Sequence, residues 1–82
     1  MNILGIDLVQ TCGACPEQYD AYKDGKEVGY FRLRHGHFTV DCLDVPVFHA
    51  CPDGDGMFTD YERDAYLQDG VVAILDHLEK VL

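Results

Sequence analysis

The fold is decided by residues 19–40, which read YDAYKDGKEVGYFRLRHGHFTV. Two turn signals divide this stretch into three strands. Lys23-Asp24-Gly25 predicts a three-residue loop with a glycine bulge, and His35-Gly36 predicts a two-residue loop. Residues 19–40 are therefore predicted to form an antiparallel β-meander, with strand two beginning near residue 17.

Both predicted turns bury the same face of this meander. The first turn would pair Tyr22 with Lys26 and Tyr19 with Gly29, and the second would place Phe31 opposite Val40. Because side chains alternate along a strand, one face then carries Tyr19, Ala21, Gly29, Phe31 and Leu33. The other face carries aromatic and charged groups: Tyr22, Val28, Tyr30, Arg32, Arg34, His37, Thr39 and Asp41.

The flanking segments complete an α+β prediction. Residues 2–9 read as a first strand with Gly5 inside it, residues 10–16 as a loop, and residues 45–50 as an edge strand because Pro46 cannot donate to a ladder. Thr59 and Glu62 form a capping-box pattern that starts a helix, in which the Thr59 hydroxyl and the Glu62 carboxylate would each accept from the other residue's amide. An apolar stripe follows at helical spacing: Leu67, Val71, Ile74, Leu75, Leu78 and Leu82.

We therefore expect one domain, residues 1–82, with an antiparallel meander of about four strands and a C-terminal helix packed on one face. Gly70 would mark a bend or a close contact in that helix. No stretch has the roughly 20 apolar residues of a membrane span, and no basic region precedes a hydrophobic segment. A cytoplasmic protein is expected.

The charge balance narrows the classes of partner. Fifteen acidic and six basic side chains give a formal charge of −9, which disfavours nucleic acid and anionic membranes. The four cysteines, without an export signal, indicate thiols in a reducing compartment.

The cysteines suggest a zinc site. Cys12 and Cys15 have the spacing of a zinc knuckle, and the remaining ligands would come from Cys42, His49 and Cys51. Two alternatives stay open: buried thiols that fill core space, and a redox pair at Cys12 and Cys15.

A calcium loop is a second metal hypothesis. Residues 51–62 align with a twelve-residue EF-hand loop in which Asp53, Asp55 and Glu62 are the carboxylate ligands. Cys51 occupies the first ligand position, however, and a strand precedes the loop in place of a helix. A flexible acidic turn before the helix explains the same residues.

A ligand-binding face is the third hypothesis. Four of the six cationic side chains, Lys23, Lys26, Arg32 and Arg34, lie in one hairpin of an acidic protein. The predicted binding residues on the polar face are Tyr22, Tyr30, Arg32, Arg34 and His37. Arginines beside aromatic rings suit a protein partner or a small anionic, nucleotide-like ligand. Alternatively, the arginines pair with Asp20, Asp41 or Glu27 on a solvated face.

Residues 19–40 also resemble the central β-hairpins of the GNAT acetyltransferases, where a D-G-K turn leads into a V-G-Y strand rich in Arg and Leu. That resemblance implies an acyltransferase remnant. The loop with which that family binds the acetyl-CoA pyrophosphate, Gln/Arg-x-x-Gly-x-Gly/Ala, has no counterpart in this sequence, so no acetyltransferase residues are assigned. The general character also resembles small phage-type accessory proteins.

The sequence has no distinct pattern that indicates a nucleophile beside a base, a pair of catalytic carboxylates or a phosphate-binding loop. An enzyme is therefore not predicted. The sequence favours a non-catalytic binding or inhibitory module that acts through the outer sheet face, and homo-oligomers are compatible with it. A small structural zinc domain is the alternative, and the acyltransferase remnant is third.

Overall fold

The computed structural model describes residues 1–13, 17–52 and 58–81, which form an α+β structure. Six antiparallel strands lie in one sheet in the order of the chain, and one helix follows them. The elements are β1 (Asn2–Ile3), β2 (Ile6–Gly13), β3 (Glu17–Lys23), β4 (Lys26–Arg34), β5 (His37–Cys42), β6 (Val45–Ala50) and α1 (Asp60–Val81). The α+β meander is confirmed, with six strands instead of about four.

Tight two-residue turns connect four of the strand pairs. Both central residues have positive φ in Leu4-Gly5, Asp24-Gly25, His35-Gly36 and Leu43-Asp44. This is the type I′ geometry, whose twist matches that of the flanking strands. The prediction of a single strand over residues 2–9 is wrong, because the Leu4-Gly5 turn folds β1 back onto β2.

The register between β3 and β4 differs from the predicted one by one residue at the turn and by two residues beyond it, where Tyr19 lies opposite Phe31 in place of Gly29. Lys23 lies opposite Lys26 across a two-residue turn, and Ala21 lies opposite Gly29 after a one-residue bulge in β4. The predicted three-residue loop is therefore wrong, since the bulge lies within the strand and not in the turn. The predicted buried face is nevertheless correct, because a shift of two residues returns every side chain to the same side of the sheet.

Helix α1 covers the inner face of the sheet, which we define as the face that carries Phe31, Phe38 and Val40. The predicted stripe is buried against it at Leu67, Val71, Ile74 and Leu78; Leu75 is half-buried, and Leu82 lies outside the described residues. Among the described residues, no helix is long and apolar enough to cross a membrane.

Gly70 is the point at which the helix comes closest to the sheet. A Cβ at this position would lie 2.5 Å from Cε2 of Phe31 and 2.9 Å from Cγ2 of Val40. Both distances are shorter than carbon atoms tolerate, so the absence of a side chain lets the helix settle onto the sheet. Gly70 therefore marks a close contact.

We predict that Gly70→Ala destabilises the fold by about 1–3 kcal/mol, the usual cost of overpacking a core. In an exposed helix the same change would stabilise by up to about 1 kcal/mol, so the sign of the effect is diagnostic. Urea denaturation of Gly70→Ala, of Phe31→Leu and of the double variant measures these changes in the free energy of unfolding. The double variant should lose less than the sum of the two single losses, and additive losses would contradict the contact.

Candidate metal centre on the outer sheet face

Three side chains converge at one end of the outer face, the face of the sheet turned away from α1. His37 begins β5, His49 lies near the end of β6, and Cys51 follows that strand by one residue. Their ligand atoms all lie within 4.8 Å of one another. We call these three residues the metal group, because imidazole and thiolate are the ligands that bind transition metals such as zinc.

A one-residue bulge in β6 places His49 in this group. The Leu43-Asp44 turn pairs Cys42 with Val45, and the bulge then shifts the register so that Val40 lies opposite Phe48 and Thr39 opposite His49. A shift of one residue moves every later side chain to the other face. Phe48 consequently packs against the ring of Phe38 in the core, and His49 points outward.

Two of the three separations within the metal group are close to those of a tetrahedral zinc site, and the third, between Nε2 of His49 and Sγ of Cys51, is at most 4.8 Å. Nδ1 of His37 lies 3.3 Å from Nε2 of His49 and 3.7 Å from Sγ of Cys51. Zinc bound at about 2.0–2.1 Å from nitrogen and about 2.3 Å from sulfur requires separations of about 3.4 Å for two nitrogens and about 3.5 Å for nitrogen and sulfur. The two imidazole rings are also stacked, with an interplanar angle of 25°.

All three residues of the metal group are exposed. A structural zinc site normally has four protein ligands and is closed, whereas three ligands leave one position for water or another molecule. Within the described part of the chain, the group supplies three ligand atoms. Counting only the ligands that the described residues supply, an ion held there would keep one coordination position for water or another molecule.

Two of the other predicted zinc ligands, Cys42 and Cys12, lie elsewhere. Cys42 is fully buried under α1, where its Sγ lies 4.0 Å from the carbonyl oxygen of Ile74, and burial raises the pKa of its thiol. Cys12 lies in β2, opposite Gln18 of β3. Strand β2 is four strand spacings, or about 19 Å, from β6. Cys15 lies outside the described residues. The structure thus unites His49 and Cys51 with His37, which the sequence had placed in the binding face.

The predicted binding residues are spread along the outer face. Arg34 lies opposite His37, and Arg32 lies opposite Thr39, the neighbour of His49 on β6. Tyr30 is two residues further along β4, opposite Asp41. Tyr22 is four residues along β3 from Gln18, the partner of Arg32, which is about 14 Å at 3.4 Å per residue. The two arginines and His37 therefore lie at the metal group, and Tyr22 lies at the far end.

The residues of the predicted calcium loop are only partly described. Asp53 and Asp55 lie outside the described residues. Glu62 is buried, and its Oε1 accepts a hydrogen bond of 3.1 Å from the amide of Thr59, which confirms half of the predicted capping box. The other half differs, because the Glu62 amide donates to the backbone carbonyl of Thr59 and not to its hydroxyl. Calcium binding stays a prediction.

A second polar cluster, around Glu17, ties the sheet to the start of the helix. Oε1 of Glu17 accepts from the Phe58 amide at 3.1 Å and from Arg63 Nη2 at 3.3 Å, while Oε2 accepts from Arg63 Nε at 2.9 Å and from the Tyr19 hydroxyl. Burial raises the pKa of Glu17, but these donors outweigh it and hold that pKa below its ordinary value. With both oxygens occupied by donors, the carboxylate is a structural anchor. Glu17 and Arg63 are 46 residues apart, and no local pattern in the sequence signals the pair.

Comparison of the chain with family models, with curated proteins and with solved structures finds no match. The resemblance of residues 19–40 to the GNAT hairpins therefore stays a prediction, which titration with acetyl-CoA would test. Inferences about function rest on the geometry of the metal group and its neighbours.

We predict that Arg63→Ala destabilises the protein by about 2–3 kcal/mol at pH 7, because it leaves the Glu17 carboxylate buried without its cation. Lys80→Ala is the matched control. It removes one cation from the exposed pair with Asp76 and should cost less than about 0.5 kcal/mol. Thermal or urea unfolding measures both, and equal losses would contradict the anchor.

The stability lost in Arg63→Ala should also depend on pH. Because the pKa of Glu17 is lowered in the folded protein, its contribution is present above the pKa of an unfolded glutamate, about 4.3, and is lost as the pH falls through the lower folded value. The difference in unfolding free energy between the parent protein and Arg63→Ala should therefore be largest at neutral pH and shrink below about pH 4. A difference that stays constant down to pH 3 would show that Arg63 stabilises by packing alone.

Proposed function

We propose that this chain is a non-catalytic binding module that acts through the outer face of its sheet, and that a zinc ion held by His37, His49 and Cys51 is part of that binding surface. The observation that carries the proposal is the separation of the three ligand atoms, 3.3 Å between the imidazole nitrogens and 3.7 Å between nitrogen and sulfur. The pairing of β5 with β6 brings these three residues to one end of the outer face, and in addition their ligand atoms approach one another.

The chemistry of the ligand atoms supports zinc. Nδ1 of His37 faces both Nε2 of His49 and Sγ of Cys51, so without an ion these atoms can share only protons. A divalent cation replaces those protons and interacts with all three atoms at once. Two imidazoles and one thiolate suit zinc, while the harder ions calcium and magnesium prefer oxygen ligands.

The position of the group supports a binding role over a purely structural one. The core lies on the inner face under α1, with Phe31, Phe38 and Val40 fully buried, and it is complete without any contribution from the metal group. Small zinc domains that depend on their metal unfold without it. Here the ion would lie on the exposed surface and present its fourth coordination position to a ligand.

We predict that the protein binds one zinc ion and stays folded when the zinc is removed. His49→Ala and Cys51→Ser should each lower zinc affinity by at least about 100-fold, because even the loss of residues that only orient a ligand costs 10–100-fold. Competition with a chromogenic chelator measures the affinity, and circular dichroism of the chelated protein measures its fold. Affinity should also fall as the pH is lowered, since the ligand atoms must be deprotonated.

Two controls separate this site from the alternatives. His77→Ala removes a histidine on α1, away from the metal group, and should leave zinc affinity unchanged. Cys12→Ser with Cys15→Ser removes the knuckle pair. If this double variant loses zinc while Cys51→Ser keeps it, or if the chelated protein unfolds, the structural zinc domain is the better description.

A further inference from the structure

Two arginines border the metal group on the side of β4. Arg34 lies directly opposite His37, and Arg32 is in the next outward-facing row, opposite Thr39. Side chains directly opposite each other on an antiparallel pair have Cβ atoms about 4.5–5.5 Å apart, which is well within the reach of an arginine. Both guanidinium groups can therefore approach the open side of an ion held by the metal group.

Neither arginine is paired with an acidic residue in the part of the chain that the structure describes. Across residues 1–13, 17–52 and 58–81, the side chains of Arg32 and Arg34 make no hydrogen bond or ion pair, and the alternative in which they pair with Asp20, Asp41 or Glu27 is not observed. Arg63, by contrast, contacts both Glu17 and Asp60. The chain has fifteen acidic and six basic residues, yet these two arginines in adjacent rows have no acidic partner among the described residues, which leaves them available to an external anion.

The local charge around the metal group indicates an anionic ligand. A zinc ion with two neutral imidazoles and one thiolate carries a net charge of +1, and the two guanidinium groups bring the local charge to +3. A guanidinium binds two oxygens of one anion as a fork, while zinc accepts one oxygen in its open position. An anion with at least two oxygens on one centre can satisfy both at once, which a single-atom anion such as chloride cannot do.

We propose that the metal group together with Arg32 and Arg34 binds a small oxyanion, the carboxylate or phosphate group of a ligand. One oxygen occupies the fourth coordination position of the ion, and another accepts from the guanidinium groups. This inference rests on the proposed zinc site and adds its substrate class. Binding of the two ligands must then be coupled. If the oxyanion raises the affinity of the protein for the metal, the metal raises its affinity for the oxyanion by the same factor.

The test uses the full chain loaded with cobalt(II), whose visible spectrum reports the ligands of the ion. Acetate, inorganic phosphate and, as a control, chloride are titrated at constant ionic strength. We expect a saturable spectral change with acetate, phosphate or both at concentrations at least about tenfold below those at which chloride acts, because chloride can occupy the open coordination position but cannot also bind the guanidinium groups. Acetate alone would identify a carboxylate ligand, and phosphate alone a phosphate.

Arg32→Gln with Arg34→Gln should weaken the oxyanion response at least tenfold while cobalt affinity without oxyanion is retained or rises, since two cations near the metal are removed. Lys23→Gln with Lys26→Gln is the matched control. It changes the net charge equally, at the Asp24-Gly25 turn at the other end of β4, and should leave the oxyanion response within about twofold.

The outcomes separate the two proposals. If cobalt binds but neither acetate nor phosphate changes its spectrum, the oxyanion site is overturned and the zinc site stands. If the lysine and arginine variants lose the response equally, general charge attracts the anion and the assignment of the arginines is overturned. If cobalt does not bind to the parent protein and His49→Ala behaves identically, both proposals fail.

Discussion

Burial under α1 is the constraint on which the rest of the structure depends. The pleat gives each side chain only two directions, inward under the helix or outward to solvent, and a strand cannot slip by one residue without exposing its apolar set. Phe31, Leu33, Phe38 and Val40 are fully buried on the inner face, so their placement fixes every neighbour on the outer one. The charged outer face is the complement of the core.

Bulges are the device by which this sheet changes faces within a strand. The register shifts once in the β2–β3 pair, once in β3–β4 and once in β5–β6. The shift in β5–β6 has the largest consequence, because the same extra residue turns Phe48 toward Phe38 and His49 toward His37. Core packing and the metal group therefore share one cause. A variant of β6 without the bulge would have to bury His49 and expose Phe48, which costs the free energy of both changes.

The same alternation of side chains explains which features of the structure could be predicted from the sequence. The buried face of residues 19–40 was predictable despite a wrong turn, because the error of two residues preserved the alternation at Tyr19 and Ala21. The face on which Phe48 lies could not be predicted, because a one-residue bulge has no strong signal in the sequence and moves the side chain to the opposite face. For the site, His49 and Cys51 were recognised by residue type, but His37 was assigned to a different hypothesis. Only the register of β5 with β6 joins them, and the hairpin signal at Leu43-Asp44 is weak without glycine.

The fold separates what stabilises the protein from what is available for binding. The anchor of Glu17 and Arg63 lies at the junction of β3 and α1, and its buried carboxylate is fully committed to neighbouring donors. The metal group and the two arginines lie on the other side of the sheet, where imidazoles, a thiol and guanidinium groups are exposed or half-buried and no core side chain depends on them. Arg32 and Arg34 form no ion pair within the described ranges, and exposed ion pairs contribute little stability in any case, so the two arginines add little to the stability of the fold. Their placement beside the metal group therefore supports the proposed anionic ligand.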